Sequence, residues 1–236
     1  MDWLRLLAWG ADGWGDEFAH GLLLTLEISA VSYLLAVVLG LLGAAGKLSG
    51  NRVCRWLAEG YTTVVRSLPE LLVILLLYFS VSTGIEKLLR HFGLVGPNFE
   101  FNPFLAAVIA LAFVCGAFMT EVMRAALLAV PKGQIEAAVA IGMPRAKMFR
   151  RIVLPQMMRH AIPGMSNLWL SITKESAIVS VLGAFSELLY TGYRAAAATK
   201  EYVFFYSLTA ALFLAISLVS VFAISLLEKR LSRGHH

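Results

Sequence analysis

Residues Glu136 to Pro155 read EAAVAIGMPRAKMFRRIVLP. This is the longest polar and charged segment in an otherwise apolar chain. With its flanks it carries Lys132, Arg145, Lys147, Arg150, Arg151 and Arg159 against the single acid Glu136. A basic segment of this kind between hydrophobic stretches is expected to stay on the cytoplasmic face of a membrane. Glu136, Ala137 and Ala138 open a helix-forming run, Gly142 breaks it, Pro144 suits the first turn of a second helix, and Pro155 is expected to stop that one. The reading is two short helices joined by a glycine turn. On the second helix Met148, Ile152 and Pro155 fall on one side, away from Arg145, Arg150 and Arg151, so it is amphipathic and suited to lie against a membrane or a partner.

Composition sets the wider frame. The 236 residues are 59% hydrophobic with a mean hydropathy of +0.76, too apolar for a soluble domain of this size, and several uncharged runs are long enough to cross a bilayer. The net charge of +5 sits in loops between apolar spans, which argues for membrane topology and against nucleic acid. Cys54 lies in a loop and Cys115 in a span, so neither a disulfide framework nor a metal-ligand spacing is present. The N-terminal segment begins with Asp2, has Arg5 as its one base and is no convincing signal peptide. Trp3, Trp9 and Trp14 suit a segment resting at the membrane interface.

Five spans are expected, at about 21–46, 57–81, 103–123, 162–182 and 202–227. Gly40, Gly43 and Gly46 near the end of the first allow a close helix contact. Gly43 to Ser49 resembles a phosphate-binding loop only briefly, because positions 41 and 48, where such a loop needs Gly and Ser or Thr, are both Leu. Any ATP and Mg would therefore be bound by a partner, with no cofactor in this chain. Pro69 is expected to break or kink the second span. The stretches 82–102 and 183–201 read as charge-balanced loops. Acids at Asp2, Asp12, Asp16 and Glu17 set the N-terminus outside, while net positive loops and tail set the C-terminus in the cytoplasm. His235 and His236 end the chain. No internal repeat is apparent.

Ionisable side chains inside spans are costly and are functional candidates by default. Counting from the cytoplasmic ends of their spans at ~1.5 Å per residue, Glu70, Lys174 and Glu175 come out at one depth, about 20 Å in. Asn167, Ser171 and Lys174 share one helix face, as do Ser171 and Glu175. Lys174 either pairs with Glu70 or Glu175 to hold the bundle, or belongs to a substrate path. Two carboxylates facing one lysine favour a cationic substrate. Glu121 and Arg124 suit a helix-end ion pair, Glu27 suits an outer membrane edge reached by snorkelling, and Arg66 suits either snorkelling inward or pairing with Glu59 or Glu70.

The opening segment resembles the EAA loop of ATP-binding-cassette importer permeases on seven positions: Glu136, Ala137, Ala138, Gly142, Ile152, Leu154 and Pro155. The stretches GLLGAAGKLS, EGYTTVVRSLPEL, FMTEVMRAALLAVPKGQIEAA and KESAIVSVLG extend the likeness to the Q-type permeases of the polar amino acid family, the importers of histidine, lysine, arginine and ornithine and of opines. The resemblance implies an all-α membrane protein with five transmembrane helices, a type I ABC importer transmembrane domain as a single unit over 1–236, in the bacterial inner membrane. It implies an M-type permease partner, two ATPase subunits gripping the EAA loop over about 132–155, and a periplasmic amino-acid-binding protein. It also implies substrate contacts in the second and fourth spans, with Glu70, Asn167, Ser171, Lys174, Glu175 and Ser176 as candidates. Ser67 and Leu68 before the proline, and Glu175 and Ser176 after the lysine, depart from many relatives. Two rivals stay open: a secondary amino acid transporter, which usually shows internal repeats, and a membrane enzyme, for which no nucleophile or metal motif is found.

Overall fold

A computed structural model of the chain describes residues 3–10, 13–96, 98–180 and 185–232. Asp2, Asp12, the end of the expected fourth span at Val181 and Leu182, Arg233, His235 and His236 lie outside the described residues. Among the described residues the secondary structure is helical throughout, with α1 Trp3–Leu6, α2 Gly15–Lys47, α3 Arg52–Ser67, α4 Glu70–His91, α5 Pro103–Leu128, α6 Lys132–Ala140, α7 Arg145–Met148, a π-helical turn Phe149–Val153, α8 Leu154–Ser180, α9 Leu188–Thr199 and α10 Tyr202–Ser232.

Four of these helices are long and apolar enough to cross a membrane: α2, α4, α5 and residues Tyr202–Leu226 of α10. The expected fourth span falls in α8, which is long enough at 27 residues but is not among the four; Arg159, Lys174 and Glu175 lower its apolarity. The first helix starts at Gly15, six residues before the expected span, because Asp16 and Glu17 occupy its first turn, where carboxylates suit a helix N-terminus.

The second span departs most from expectation. Pro69 breaks the chain outright, with Leu68 and Pro69 both in extended conformations between α3 and α4. The spanning helix is α4, from Glu70 to His91, so Glu70 caps an apolar rod instead of lying in the middle of one. Residues 82–91, expected as loop, continue this helix. Their charges are used locally: Arg90 pairs with Glu86 at 4.0 Å and donates to the Phe99 carbonyl, while Glu86 accepts from the Phe101 amide. The second expected loop likewise holds α9. Its start is fixed by Glu187, whose carboxylate accepts from the amides of Leu189 and Tyr190.

α5 is the axis of the bundle. Of its most apolar stretch 67% is buried, against 11% for α10. Small residues allow this: Ala106, Ala107, Ala110, Ala112, Gly116 and Ala117 bring neighbouring backbones close. Opposite them, Gly40 packs on Met119, Gly43 on Thr120 and Gly46 on Ala58, so a Cβ at the first two would collide with the α5 side chains. That is the close contact the three glycines were expected to make. Lipid tails are as apolar as leucine, so fit and hydrogen bonds hold such helices together. Here Tyr33 donates to the Met165 carbonyl at 3.0 Å, Tyr61 to the Phe113 carbonyl at 2.6 Å and Trp169 to Ser220 at 3.0 Å. Such bonds contribute about 0.6 kcal/mol each between membrane helices.

Candidate functional site

Two regions carry the candidate residues. The first is the EAA loop. α6 ends after Ala140, and Gly142 takes φ +69°, a left-handed conformation that a side chain resists, which turns the chain toward α7. Glu136 and Ala137 are exposed on α6, while Ala138 is buried against the bundle. Two helical pieces around a glycine turn are therefore present.

The second piece does not stop at Pro155. α7 passes through the π-helical turn Phe149–Val153 into α8 with helical dihedrals at Phe149 and Leu154. A proline needs no amide bond in the first turn of a helix, and the wider π turn just before it absorbs the register change. That turn also redistributes the faces. Val153 is buried with Met148 and Met157, Ile152 and Leu154 are half-buried, and Pro155 is exposed. Arg145, Lys147, Arg150 and Arg151 all stay exposed.

The second region is a cavity of about 180 Å³ where the start of α4 meets α5 and α8. It is lined by Glu70 from α4, by Val114, Cys115 and Phe118 from α5, and by Asn167, Leu168, Ser171, Ile172 and Glu175 from α8. Four of the six candidates, Glu70, Asn167, Ser171 and Glu175, are thus brought to one place. Each has a local cause. Pro69 starts α4 at Glu70, and the positions 167, 168, 171, 172 and 175 form one stripe of a helix.

The other two candidates lie elsewhere. Lys174 is exposed, about 100° around α8 from Glu175, and among the described residues no ion pair joins it to Glu70 or Glu175. Ser176 is buried and donates to the Thr173 carbonyl at 2.8 Å. The cavity lining therefore has two carboxyl groups and no cation.

Arg66 pairs with neither Glu59 nor Glu70. Its Nη1 lies 3.8 Å from Glu121 Oε1, and the same carboxylate receives Arg124 Nε at 2.9 Å and the ammonium of Lys47. The expected Glu121–Arg124 pair is real but is one part of a four-residue cluster on α2, α3 and α5. Sequence spacing reveals the pair within α5 and is silent about partners from other helices. Glu187 was also missed. It is fully buried and accepts from Thr25 of α2 at 3.0 Å as well as from the amides of α9. Its position just before a helical run was the available signal.

This arrangement of helices, with a glycine-turned basic loop projecting from a polar-lined bundle, is that of the transmembrane subunits of type I ABC importers. A family model described as binding-protein-dependent transport system inner membrane component matches residues 36–233, and the chain belongs to that family. It is an inner-membrane protein and a transport permease component. Among its relatives is the octopine transport system permease protein OccQ of Agrobacterium tumefaciens (strain Ach5), 40% identical over 99% of this chain and 98% of that protein. Another is the histidine/lysine/arginine/ornithine transport system permease protein HisQ of Escherichia coli (strain K12), 40% identical over 94% of this chain and 96% of that one. A crystal structure of an amino acid ABC transporter with histidines superposes with a TM-score of 0.74 at 32% identity, covering 92% of this chain and 94% of the other. The inward-facing MetNI methionine ABC transporter, at 19% identity and a TM-score of 0.71, shares the fold.

Proposed function

We propose that this chain is the permease subunit of an ATP-driven importer that takes up a basic amino acid, or an opine, across the bacterial inner membrane. The observation that carries the reading is the cavity at the start of α4, whose lining includes the carboxyl groups of Glu70 and Glu175 and no cation. A site with two carboxyl groups at membrane depth selects for a positively charged guest. Asn167 and Ser171 supply neutral polar atoms for its amino and carboxyl ends. The names of the relatives, which include lysine, arginine and ornithine, support the same class.

In this proposal the EAA loop, with Glu136, Ala137, Ala138, Gly142, Ile152, Leu154 and Pro155, couples to a separate ATPase. ATP and Mg are held by two such subunits. An M-type permease completes a heterodimer, and a periplasmic protein delivers the amino acid. The N-terminus is periplasmic and the C-terminus cytoplasmic, which puts the basic loop on the ATPase side. Closure of the ATPase pair moves the loop, and the bundle alternates between outward and inward access.

The test is reconstitution. The chain is purified with its chromosomal neighbours and placed in liposomes, and uptake of labelled arginine, lysine, histidine and glutamine is measured with ATP inside and the binding protein outside. ATP-dependent uptake of the basic amino acids in preference to glutamine is expected. Uptake that ignores ATP and follows a proton gradient would overturn the proposal in favour of a secondary transporter.

A further inference from the structure

The acid-lined cavity has a distinctive floor. Phe118 is its last lining residue on α5 in the direction of the EAA loop. The Arg66 guanidinium lies over the Phe118 ring, 5.5 Å from its centroid. Arg66 is held there by Glu121, one helical turn further along α5 at an Nη1–Oε1 distance of 3.8 Å. Glu121 in turn binds Arg124 at 2.9 Å and Lys47 of α2. Three cations thus share one carboxylate immediately beyond the floor, so the cluster around Glu121 carries a surplus of positive charge. Arg66 also sits four residues before Glu70, on the far side of the Leu68–Pro69 break, so it belongs to α3, a helix separate from the α4 that carries Glu70.

We propose that Arg66 and Phe118 form a charge-selective latch at the EAA-loop end of the cavity, with Glu121 as its positioning residue. This inference rests on the reading of the cavity as the path of a basic amino acid. The aromatic ring closes the path sterically. The guanidinium stacked on it repels a cation leaving the carboxylates, and the contact is a cation–π interaction strengthened by partial desolvation. Glu121 keeps the arginine over the ring, and Lys47 and Arg124 fix the Glu121 carboxylate from two other directions. Release toward the EAA-loop side then requires α3 to carry Arg66 off Phe118. In this proposal the Leu68–Pro69 break absorbs that motion, and the Tyr61–Phe113 hydrogen bond that ties α3 to α5 gives way with it.

The experiment uses the complete complex of this chain with its partner permease and ATPase subunits in liposomes, and reads two quantities. One is ATP-independent downhill flux of labelled arginine, and the other is ATPase activity stimulated by the loaded binding protein. Arg66→Ala and Phe118→Ala are expected to raise the leak roughly tenfold, the shift in closed population that loss of one such contact produces, and Arg66→Ala, which lies outside the cavity lining, is expected to keep its stimulated ATPase activity. Arg66→Lys, which keeps the charge, is expected to stay sealed, and Glu121→Gln to leak less than Arg66→Ala. A sealed membrane in both alanine variants with uptake intact would overturn the latch. A leak as large in Arg66→Lys as in Arg66→Ala would overturn its charge selectivity. Failure of the unmodified complex to transport any basic amino acid sinks the substrate reading instead, and the leak is then measured with the amino acid it does carry, where the same two outcomes decide.

Discussion

Glu70 and Glu175 are 105 positions apart in the chain and line the same 180 Å³ cavity. One begins a helix after a proline break, and the other lies in the last two turns of α8. Burying either carboxyl group has a cost that neighbouring apolar residues would avoid.

Neutralising either acid should weaken uptake of a cationic guest. Glu175→Gln and Glu70→Gln are each expected to raise the arginine concentration for half-maximal uptake about tenfold, the equivalent of ~1.4 kcal/mol. Lys174→Met, at an exposed position outside the cavity, should change it little. Concentration series in reconstituted vesicles measure all three. No change in either glutamine variant would make the acids structural.

The glycine turn of the EAA loop makes a separate prediction. Gly142 is exposed at φ +69° with open space around it, so the objection to a side chain is conformational, about 1–2 kcal/mol. Gly142→Val should distort the turn and lower ATP-driven uptake roughly tenfold or more, the size of a typical coupling free energy, while the chain still reaches the membrane. Glu136→Lys should act likewise through charge. Copurification with the ATPase and stimulated ATPase rates report on both, and normal uptake by both variants would remove the loop from the coupling path.

Packing between α2 and α5 is tested by a matched pair of glycine substitutions. A Cβ at Gly43 meets the Thr120 side chain, whereas Gly84 of α4 has nothing within 4 Å. Gly43→Val should therefore destabilise by about 1–3 kcal/mol through overpacking. Gly84→Ala should be neutral or stabilise by ~0.5–1 kcal/mol, because it removes glycine from a helix interior. Thermal aggregation of the complex in detergent separates them.

Removing the buried cap at Glu187 leaves the amides of Leu189 and Tyr190 without their acceptor, while the Thr25 hydroxyl keeps the Gly21 carbonyl. Glu187→Ala is expected to lower the melting transition by about 2–8 °C, from a cap contribution of ~1–2 kcal/mol. Glu187→Asp should recover part of it. A melting curve unchanged by the alanine would show that α9 is held by other contacts.

The EAA loop was readable because its seven positions are local. A glycine turn and an alanine face on a basic segment are chemical constraints that occupy about twenty consecutive residues. The grouping of Glu70, Asn167, Ser171 and Glu175 was also readable, since charge in an apolar run is conspicuous, and these four of the six candidates line one cavity. Other features resisted for definite reasons. Hydropathy reads residues 82–91 as loop because their charges are visible, while the pairing that lets the helix continue, Arg90 with Glu86 and with the Phe99 carbonyl, is not. Pro155 reads as a stop because the π turn that accommodates it has no sequence signature. Lys174 reads as a partner for the acids because proximity in sequence hides a rotation of about 100°. The Glu121 cluster and Glu187 depend on residues from distant helices, and charge tallies over loops hide them.

The uninterrupted passage from α7 through the π turn into α8 gives the chain a mechanical member. From Arg145 to Glu175 it measures roughly 45 Å at 1.5 Å per residue, so the EAA loop and one wall of the cavity are two stations on a single helical rod, which has Pro163 within it. Rods of this kind transmit torque as well as thrust, and the wide turn at Phe149–Val153 changes the helical register of the shaft near its loop end. A tilt imposed on the loop need not arrive undiminished at Glu175, and part of it can be taken up as twist. Gearing of this sort would let the permease answer a large stroke beneath the membrane with a small, well-aimed rotation of one carboxylate inside it.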